Sequence, residues 1–289
     1  MPPDHQKLET LVSQPVVLIT GASRGIGAAT AVYFATKGWR VAITARTLSE
    51  GTQMENQLRL PGGQLLSGSL ESTAKAIEAA GGEVFPHVMD LMDLTSLDKA
   101  ADAVLKRFGR VDLLINNAVY QNREINHLIP EITAESLQRS MQGNVIAPFH
   151  LAQRLLPAMA AQGGGRIINV CSAAGQYNPP VPADQGGWGF AYGASKAAIA
   201  RLAGCINTEY KQQNVRAFSV NPGVVSTEAV KATLGDDGLL AQRYGASTPE
   251  EIAAALFWLG TEKDALPLAK SYTMIDLQPL HKERVTATT

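Results

Sequence analysis

The feature that most constrains the fold of this chain is a regular alternation of short β-branched runs with longer helical patterns. Such alternation predicts a parallel sheet whose strands are joined by crossover helices. The strand runs, VVLIT and VDLLIN among them, are almost continuously apolar, which is typical of strands covered by helices on both faces. We predict seven strands, at Val16–Thr20, Arg40–Ala45, Glu83–Met89, Val111–Asn116, Arg166–Cys171, Val215–Asn221 and Ser271–Leu277.

Six helical patterns lie between these strands, and several begin at a Ser or Thr cap and end at a Gly. They span Gly25–Lys37, Ser69–Ala80, Thr95–Phe108, Thr133–Ala161, Phe190–Gln213 and Thr248–Leu259. The predicted fold is α/β, with a doubly wound, seven-stranded parallel sheet flanked by helices on both faces. No linker or repeat interrupts the 289 residues, so we expect one domain, 1–289, with flexible tails at 1–14 and 280–289.

The composition limits the kind of partner. The chain has 25 basic and 26 acidic side chains, a net charge of −1, so no global field attracts nucleic acid or an anionic membrane. No uncharged apolar run reaches the roughly 18 residues that spanning a bilayer requires. The N-terminus lacks a secretory or organelle-import pattern, which predicts the cytosol. A small or neutral partner fits this composition better.

The metal-binding residue types are not spaced as metal ligands. Cys171 and Cys205 lie in apolar surroundings without C-x-x-C spacing, which predicts reduced core residues. The five histidines never approach H-E-x-x-H spacing. We therefore assign no metal site.

A glycine-rich turn follows the first predicted strand and leads directly into a helical pattern. Glycine lets the backbone approach a pyrophosphate closely, and the free N–H groups of a helix N-terminus stabilise its negative charge. Three glycines alone are a weak signal, but the order of strand, turn and helix indicates a dinucleotide-binding site. Its candidate residues are Gly21, Ser23, Arg24, Gly25, Ile26 and Gly27.

The same turn also matches the G-x-S-x-G nucleophile elbow of serine hydrolases, with Ser23 as the nucleophile. An elbow serine needs an oxyanion loop from an earlier strand and then an acid and a histidine downstream. Only about fifteen residues precede this strand, and His281, in the C-terminal tail, is a poor triad partner. We therefore disfavour a hydrolase and interpret Ser23 as a cap of the phosphate loop.

Two arginines indicate which dinucleotide is bound. The fingerprint places an acidic residue at the end of the second strand, where it holds a ribose 2′-hydroxyl, but this chain has Arg46 there. Arg46 and Arg24 would pair with a 2′-phosphate through their planar forks of donors. The sequence therefore favours NADP over NAD.

A tyrosine and a lysine stand four residues apart near the start of a predicted helix. The i, i+4 spacing places the Tyr192 phenol and the Lys196 ammonium on one helix face. A nearby cation stabilises a phenolate, which suits acid–base chemistry near neutral pH. By itself this spacing is common on solvated helices.

Considered together, four motifs in this order resemble the single-domain short-chain dehydrogenase/reductase family between about Val16 and Gly260. The motifs are TGASRGIG, Asn116-Asn117-Ala118, Tyr192-Gly193-Ala194-Ser195-Lys196 and Asn221-Pro222-Gly223. The resemblance implies a Rossmann fold, a nicotinamide cofactor and a catalytic tetrad of Asn, Ser, Tyr and Lys.

The resemblance also implies a role for each tetrad residue. Tyr192 resembles the general acid that protonates the carbonyl oxygen, and Lys196 the residue that holds the nicotinamide ribose and assists the tyrosine. Ser172, at the end of a predicted strand, resembles the serine that orients the carbonyl. Asn144 resembles the helix asparagine that holds a proton-relay water beside the lysine.

Further matches concern the cofactor. Asp90 and Leu91 resemble the pair that contacts adenine, and Asn117 with Ala118 lies where the family positions the adenosine side of the sheet. The segment Pro222-Gly223-Val224-Val225-Ser226-Thr227 resembles the one that binds the carboxamide through the Val225 backbone and the Thr227 hydroxyl.

The chain departs from the family pattern in three places, one of which is the interval of 20 residues from Ser172 to Tyr192, longer than in many relatives. Val119 and Tyr120 follow Asn-Asn-Ala, where the family usually has Gly. The C-terminal stretch AKSYTMIDLQPLHKE lacks the usual Gly-Gln and Asp-Gly-Gly pattern. The sequence therefore does not predict the family's commonest tetramer arrangement. We expect a homo-oligomer, either a dimer or a tetramer.

Two predicted connections exceed the roughly 2–6 residues usual in α/β units. Thr47–Ser67 is either a disordered insertion or an element beside the cofactor. Ser172–Gly189 is rich in proline and aromatic residues, which suits a pocket wall or plain packing. The segments 177–190 and 228–244 are expected to border the substrate. Their apolar members include Val181, Trp188, Val230, Leu234, Leu239 and Leu240.

The sequence thus predicts an NADPH-dependent carbonyl reductase, or alcohol dehydrogenase, acting on a small-molecule ketone or aldehyde with a hydrophobic or aromatic body. The alternative is a noncatalytic NADP-binding regulator on the same fold, because a fold does not establish an activity.

Overall fold

The structure is a computed structural model that describes residues 14–52, 59, 63–121, 123–230, 245–270 and 274–286. Its seven strands form one sheet of order β3-β2-β1-β4-β5-β6-β7, in which all neighbouring strands are parallel. The strands are β1 Val16–Thr20, β2 Arg40–Ala45, β3 Val84–Val88, β4 Leu113–Asn116, β5 Gly165–Val170, β6 Val215–Asn221 and β7 Ile275–Asp276. The predicted doubly wound sheet is confirmed.

Helices cover both faces of the sheet. They are α1 Gly25–Thr36, α2 Leu70–Ala79, α3 Leu94–Phe108, α4 Ala134–Met141, α5 Ala147–Ala161, α6 Phe190–Glu209, α7 Pro249–Thr261 and the short α8 Leu277–Leu280. Their ends follow local rules: the side chain of Ser69 caps α2, that of Thr248 caps α7, and Gly109 ends α3 in the left-handed conformation.

The core consists of two layers, one on each face of the sheet. Val17 and Ile19 of β1 belong to the layer that contains Phe34 of α1, whereas Leu18 belongs to the layer that contains Leu151 of α5. Each is fully buried or nearly so, and burying such a side chain contributes roughly 1.5–3 kcal/mol. Both faces of β1 are therefore apolar, as the sequence predicted.

The predicted long helix Thr133–Ala161 is interrupted. Residues Gln142–Ile146 form a π-helical turn between α4 and α5, and the N–H of Ala147 donates to the carbonyl of Gln142. Pro148 has no N–H to donate to the carbonyl of Asn144, so a regular α-helical hydrogen bond cannot form there. The interruption falls at Asn144, one of the predicted site residues.

The C-terminal region also differs from the prediction. Of the predicted strand Ser271–Leu277, only β7 is formed among the described residues, and 271–273 lie outside them. Residues 280–286, which the sequence analysis assigned to a flexible tail, are instead largely helical, and Leu280 is buried. The apolar Leu277 and Leu280 pack in the core layer with Phe34, which explains the correction.

The sheet order creates one position for a ligand. The chain leaves β1 toward β2 on one side, and β4 pairs with β1 on the other. In parallel sheets a crevice opens beyond the carboxyl ends of strands where the order reverses. The residues after β1 and β4 are the glycine turn and Asn117-Ala118.

Candidate active site

The glycine turn lies against the end of β4. Gly21 has a φ of +69°, and a Cβ at this position would lie 2.7 Å from the Cα of Ala118. A Cβ on Gly27 would collide with the carbonyl oxygen of Gly21. Both positions therefore require glycine because other backbone atoms approach them closely.

Asn117 fastens the turn to the sheet. Its Nδ2 donates to the carbonyls of Thr20 and Gly21, at 2.9 and 3.2 Å. The hydroxyl oxygen of Thr20 in turn accepts from the backbone N–H groups of Asn117 and Ala118, both at 3.0 Å. Asn117, expected to contact the adenosine side of a cofactor, thus has a direct structural role as well.

A cavity of about 360 Å³ extends from the glycine turn to the start of α6. It brings together sixteen of the predicted site residues: Gly21, Ser23, Arg24, Gly25, Ile26, Arg46, Asp90, Leu91, Asn117, Ala118, Tyr192, Lys196, Pro222, Gly223, Val225 and Thr227. Gly27, Asn144 and Ser172 are not among its lining residues. The sequence motifs, although spread over two hundred residues, therefore converge on one space.

Tyr192 and Lys196 occupy consecutive turns of α6 and both line this cavity. The Lys196 Nζ lies 5.8 Å from the centroid of the Tyr192 ring. Lys196 is only 5% exposed, and its Nζ donates to the carbonyl of Val170 at 3.0 Å. The ammonium is thus held beside the phenol at the end of β5.

Asn144 lies behind the cavity wall, in the π-helical turn. Its side chain is buried and bonds to the backbone of Tyr120 through both of its polar atoms, Oδ1 at 2.7 Å and Nδ2 at 3.3 Å. The Nδ2 also lies 3.4 Å from the hydroxyl of Ser195, one residue before Lys196 on α6. Asn144 therefore links the segment after β4 to the helix that carries the tyrosine and the lysine.

Ser172 follows β5 in extended conformation and begins a 3-10 turn at Ala173–Gly175. Its hydroxyl oxygen accepts from the N–H of Ala174 at 3.2 Å. This bond leaves the hydroxyl proton available to donate to another acceptor. Cys171, the preceding residue, lines the cavity, whereas Ser172 itself is not among the lining residues.

Two arginines lie at the other end of the site. Arg24 donates from Nη2 to the carbonyl of Gly68 at 2.9 Å, while its buried Nε has no hydrogen-bond partner among the described residues. Burial lowers the pKa of the Arg24 guanidinium, and the carboxylates of Glu228 and Glu50 oppose that shift. Arg46 lies near enough to Arg24 for the two positive charges to interact, although the two carboxylates have the larger effect on Arg24.

The segment Pro222–Thr227 is supported by the C-terminal residues that the sequence analysis left without a role. Gln278 Nε2 donates to the carbonyl of Val224 at 3.0 Å, and a Cβ on Gly223 would lie 2.6 Å from the Gln278 side chain. Asn221 Nδ2 donates to Asp276 at 2.7 Å. The departure from the family pattern in this region therefore still provides contacts to the segment.

The structure adds cavity residues that the sequence analysis did not single out for the site. They include Leu66, Met89, Cys171 and Glu228. Cys171 is next to Ser172, so adjacency to a motif could have indicated it, and Glu228 is the first residue of the segment 228–244 that was expected to border the substrate. Leu66 belongs to the long insertion Thr47–Ser67, for which a place beside the cofactor was one of the two alternatives.

The segments expected to border the substrate are described only in part. Trp188 packs beside Gly193, where a Cβ would lie 3.6 Å from the indole Cδ1, and Gly193 follows Tyr192. Val230 lines the cavity. Residues 231–244, with Leu234, Leu239 and Leu240, lie outside the described residues.

The cavity suits a dinucleotide. The glycine turn is a cradle that side chains would fill, it opens a twelve-residue helix whose first N–H groups lack intrahelical partners, and two arginines stand nearby. The described part of the chain holds no group of three or more His, Cys, Asp or Glu side chains placed to bind a metal ion. None of the described helices has the length and apolar character needed to cross a bilayer.

Comparison with known proteins agrees with this geometry. The chain matches the short chain dehydrogenase family over residues 15–67 and 64–237. It belongs to the short-chain dehydrogenase/reductase family of oxidoreductases. It is 27% identical to the 7alpha-hydroxysteroid dehydrogenase of Bacteroides fragilis over 86% of this chain and 87% of that protein. It is 31% identical to the D-threitol dehydrogenase of Mycolicibacterium smegmatis, over 87% of each chain.

Solved structures of relatives contain both forms of the nicotinamide cofactor. A short chain dehydrogenase from Mycobacterium paratuberculosis bound to NAD has a TM-score of 0.72 and 25% identity, over 91% of this chain and 95% of that one. A metagenomic short-chain oxidoreductase in complex with NADP has a TM-score of 0.65 and 28% identity, over 91% and 96%. Similar proteins thus bind nicotinamide cofactors, but do not agree on the 2′-phosphate.

Proposed function

We propose that this protein is an NADPH-dependent carbonyl reductase that transfers a hydride between NADP(H) and a ketone or aldehyde, and in reverse oxidises an alcohol. The observation that carries the proposal is that Tyr192 and Lys196 line the same cavity as the glycine turn. A dinucleotide held at that turn shares the cavity with a phenol able to exchange a proton with a carbonyl oxygen.

The choice of NADP rests on Arg24 and Arg46. Both line the cavity together with the glycine turn, and their charges are close enough to interact. A 2′-phosphate between them would accept charge-assisted hydrogen bonds from both guanidinium groups. The ribose of NAD offers only a neutral hydroxyl at that position, so it would lack these charge-assisted hydrogen bonds.

The coenzyme, when bound, supplies the hydride and accepts it in the reverse reaction. Tyr192 donates the proton that the carbonyl oxygen acquires on reduction, and Lys196 stabilises the phenolate that remains. Ser172 donates its free hydroxyl proton toward the same oxygen. Asn144 binds the backbone of Tyr120 and contacts Ser195 on α6. These contacts hold the segment after β4 against the helix that carries Tyr192 and Lys196.

Exposed apolar side chains in the segment 177–190, which leads into the helix of Tyr192, support a substrate with a hydrophobic or aromatic body. Tyr177, Val181 and Phe190 are 57%, 39% and 56% exposed, and Phe190 begins the helix that carries Tyr192. The two relatives named above point in different directions, since one is named for a hydroxysteroid and the other for the small polyol D-threitol. The apolar surface favours the larger, apolar class.

Trp188 provides the test of this substrate class. Trp188→Ala should reduce kcat/KM for bulky aryl ketones by about tenfold while small aliphatic ketones lose much less. The thermal midpoint is measured in parallel. Equal losses for both ketone classes that follow a lowered midpoint would assign Trp188 to packing and remove the support for an apolar substrate.

The proposed activity is tested by following NADPH absorbance with a panel of ketones, aldehydes, quinones and acyl thioesters. Tyr192→Phe should bind NADPH as the wild type does and lose turnover by roughly 10²–10⁴-fold. Tyr210→Phe, at the far end of the same helix, is the matched control and should remain active. NADPH binding without turnover of any compound, unaffected by Tyr192→Phe, would favour the noncatalytic regulator.

Self-association into a dimer or tetramer stays a prediction.

A further inference from the structure

The insertion, taken from here on as the whole connection between β2 and α2, contacts the glycine turn at Gly68. Gly68 has a φ of +113°, and a Cβ there would collide with the carbonyl oxygen of Ser23 and lie 2.8 Å from the Cβ of Arg24. Only glycine allows this approach, because both the conformation and the space exclude a side chain. The insertion therefore reaches the arginine that is proposed to select the coenzyme.

Both backbone groups of Gly68 are used. Its carbonyl accepts from Arg24 Nη2 at 2.9 Å, and its N–H donates to the two carboxylate oxygens of Glu50, at 3.0 and 3.1 Å. Glu50 thus fixes the peptide that fixes the guanidinium. The orientation of Arg24 depends on two residues that lie outside the glycine turn.

The base of the insertion is itself anchored to α2. The N–H groups of Leu70 and Glu71 donate to the carbonyls of Thr47 and Leu48, both at 3.0 Å. Ser69 caps α2 with a reciprocal capping box that includes Ser72. Gly68 is therefore adjacent to a well-fastened helix start rather than at the tip of a loop.

A second residue of the insertion contributes to the cavity. Leu66 is only 5% exposed and lines the same space as Arg24 and Arg46. A hydrophobic wall beside two arginines excludes water from their charges, which strengthens their interaction with an anion. Leu66 and Gly68 therefore lie at the coenzyme end of the cavity.

We propose that Gly68 is a positioning residue for Arg24, held by Glu50, and that the insertion thereby determines the preference for NADPH over NADH. This inference rests on the proposed function, because it concerns the 2′-phosphate. A guanidinium that is already oriented loses less side-chain freedom when it binds a phosphate. NADH lacks that phosphate, so its affinity should not depend on Gly68.

The first test compares two glycines of the insertion. Gly68→Ala should raise the Kd of NADPH on the order of tenfold and leave the Kd of NADH within about twofold, as measured by fluorescence titration. Gly63→Ala is the matched control: Gly63 also has a positive φ, +86°, but a Cβ there meets no atom within 4 Å among the described residues. The control should lower the thermal midpoint without changing coenzyme preference.

The second test separates position from charge at the exposed Glu50. Glu50→Gln keeps a hydrogen-bond acceptor for the Gly68 N–H but removes the negative charge, whereas Glu50→Ala removes both. If position matters, Glu50→Ala should bind NADPH about fivefold more weakly than Glu50→Gln. Equal affinities of these two variants would overturn the inference even if Gly68→Ala failed to fold.

A double-mutant cycle with Arg24 completes the design. In an Arg24→Ala background, Gly68→Ala should change the Kd of NADPH by less than about twofold, because the group that it positions is gone. If the wild type does not prefer NADPH, the coenzyme assignment and this inference both fail. If the wild type prefers NADPH and the two variants Gly68→Ala and Gly63→Ala have the same Kd for NADPH, only the positioning role is overturned.

Discussion

The amide side chain of Asn144 brackets the backbone of Tyr120, accepting from its N–H at 2.7 Å and lying 3.3 Å from its carbonyl oxygen. The residue before Asn144 makes this possible. A Cβ on Gly143 would collide with the Cβ of Tyr120 and lie 3.0 Å from its Cγ. The large side chain at 120 is therefore accommodated by the absence of one at 143.

Gly143→Ala should push Tyr120 away and disturb the bracket. Overpacking of this kind costs about 1–3 kcal/mol of stability, and a displacement of about 1 Å near a reaction centre can lower turnover on the order of a hundredfold. We expect kcat to fall by at least tenfold, and more than NADPH affinity does. Gly204→Ala is the control, since Gly204 is also helical and a Cβ there meets no atom within 4 Å among the described residues. Unchanged kcat in Gly143→Ala would show that Asn144 tolerates movement of Tyr120.

These two residues also illustrate how far the sequence could be interpreted. Asn144 was identified by resemblance, and Tyr120 was noted as a departure from the family pattern. Their contact depends on a π-helical turn that the sequence pattern does not detect, because the predicted helix Thr133–Ala161 runs through it without a break. Patterns among neighbouring residues predict helices and strands. They do not predict this contact, because it joins two residues that are 24 positions apart in the chain.

The sheet could be predicted because each central strand is a continuous apolar run between turn residues. The edge strand β7 was predicted within Ser271–Leu277, but its bounds could not be, because two residues carry too little pattern and the strand is held by tertiary contacts such as the Asn221–Asp276 hydrogen bond. The contribution of Gln278 was missed for the same reason. A glutamine in an apolar stretch shows no partner until the fold places Val224 beside it.

Arg46→Asp should change the coenzyme preference. The substitution removes one donor for the 2′-phosphate and places a carboxylate where it would repel that phosphate and accept from a ribose hydroxyl. Loss of a charge-assisted contact is worth roughly 1.5–3 kcal/mol, about ten- to a hundredfold in NADPH affinity. Titration with NADPH and NADH measures both constants, and Arg201→Asp on the exposed face of α6 controls for net charge. An NADPH affinity equal to that of the wild type would refute the assignment of Arg46.

Lys196→Ala should impair binding and chemistry together. Its ammonium lies in the cavity beside Tyr192, so its loss removes both a donor for the cofactor ribose and the charge that stabilises the phenolate. We expect NADPH affinity to fall about tenfold and kcat by roughly 10²–10⁴-fold. Tyr192→Phe should lower kcat alone, which distinguishes the two roles. Lys75→Ala, exposed on α2, serves as the control, and normal NADPH binding by Lys196→Ala would limit the lysine to the proton transfer.

The two cysteines should differ sharply in reactivity. Cys171 is buried at the cavity, whereas Cys205 lies on the exposed face of α6, so the prediction of two core cysteines is wrong for Cys205. Burial raises the pKa of the Cys171 thiol, and the neighbouring Lys196 only partly offsets this shift. A raised pKa leaves less thiolate near neutral pH than an ordinary cysteine has, and the thiolate is the reactive form.

Iodoacetamide should therefore label Cys205 readily in the native protein. It should label Cys171 only slowly, and faster as the pH rises. Mass spectrometry of Cys205→Ser, in which native labelling should nearly disappear, and of Cys171→Ser, in which it should persist, checks this. Rapid labelling of Cys171 near neutral pH, slowed by bound NADPH, would instead show that the thiol is open to the cavity and ionised there.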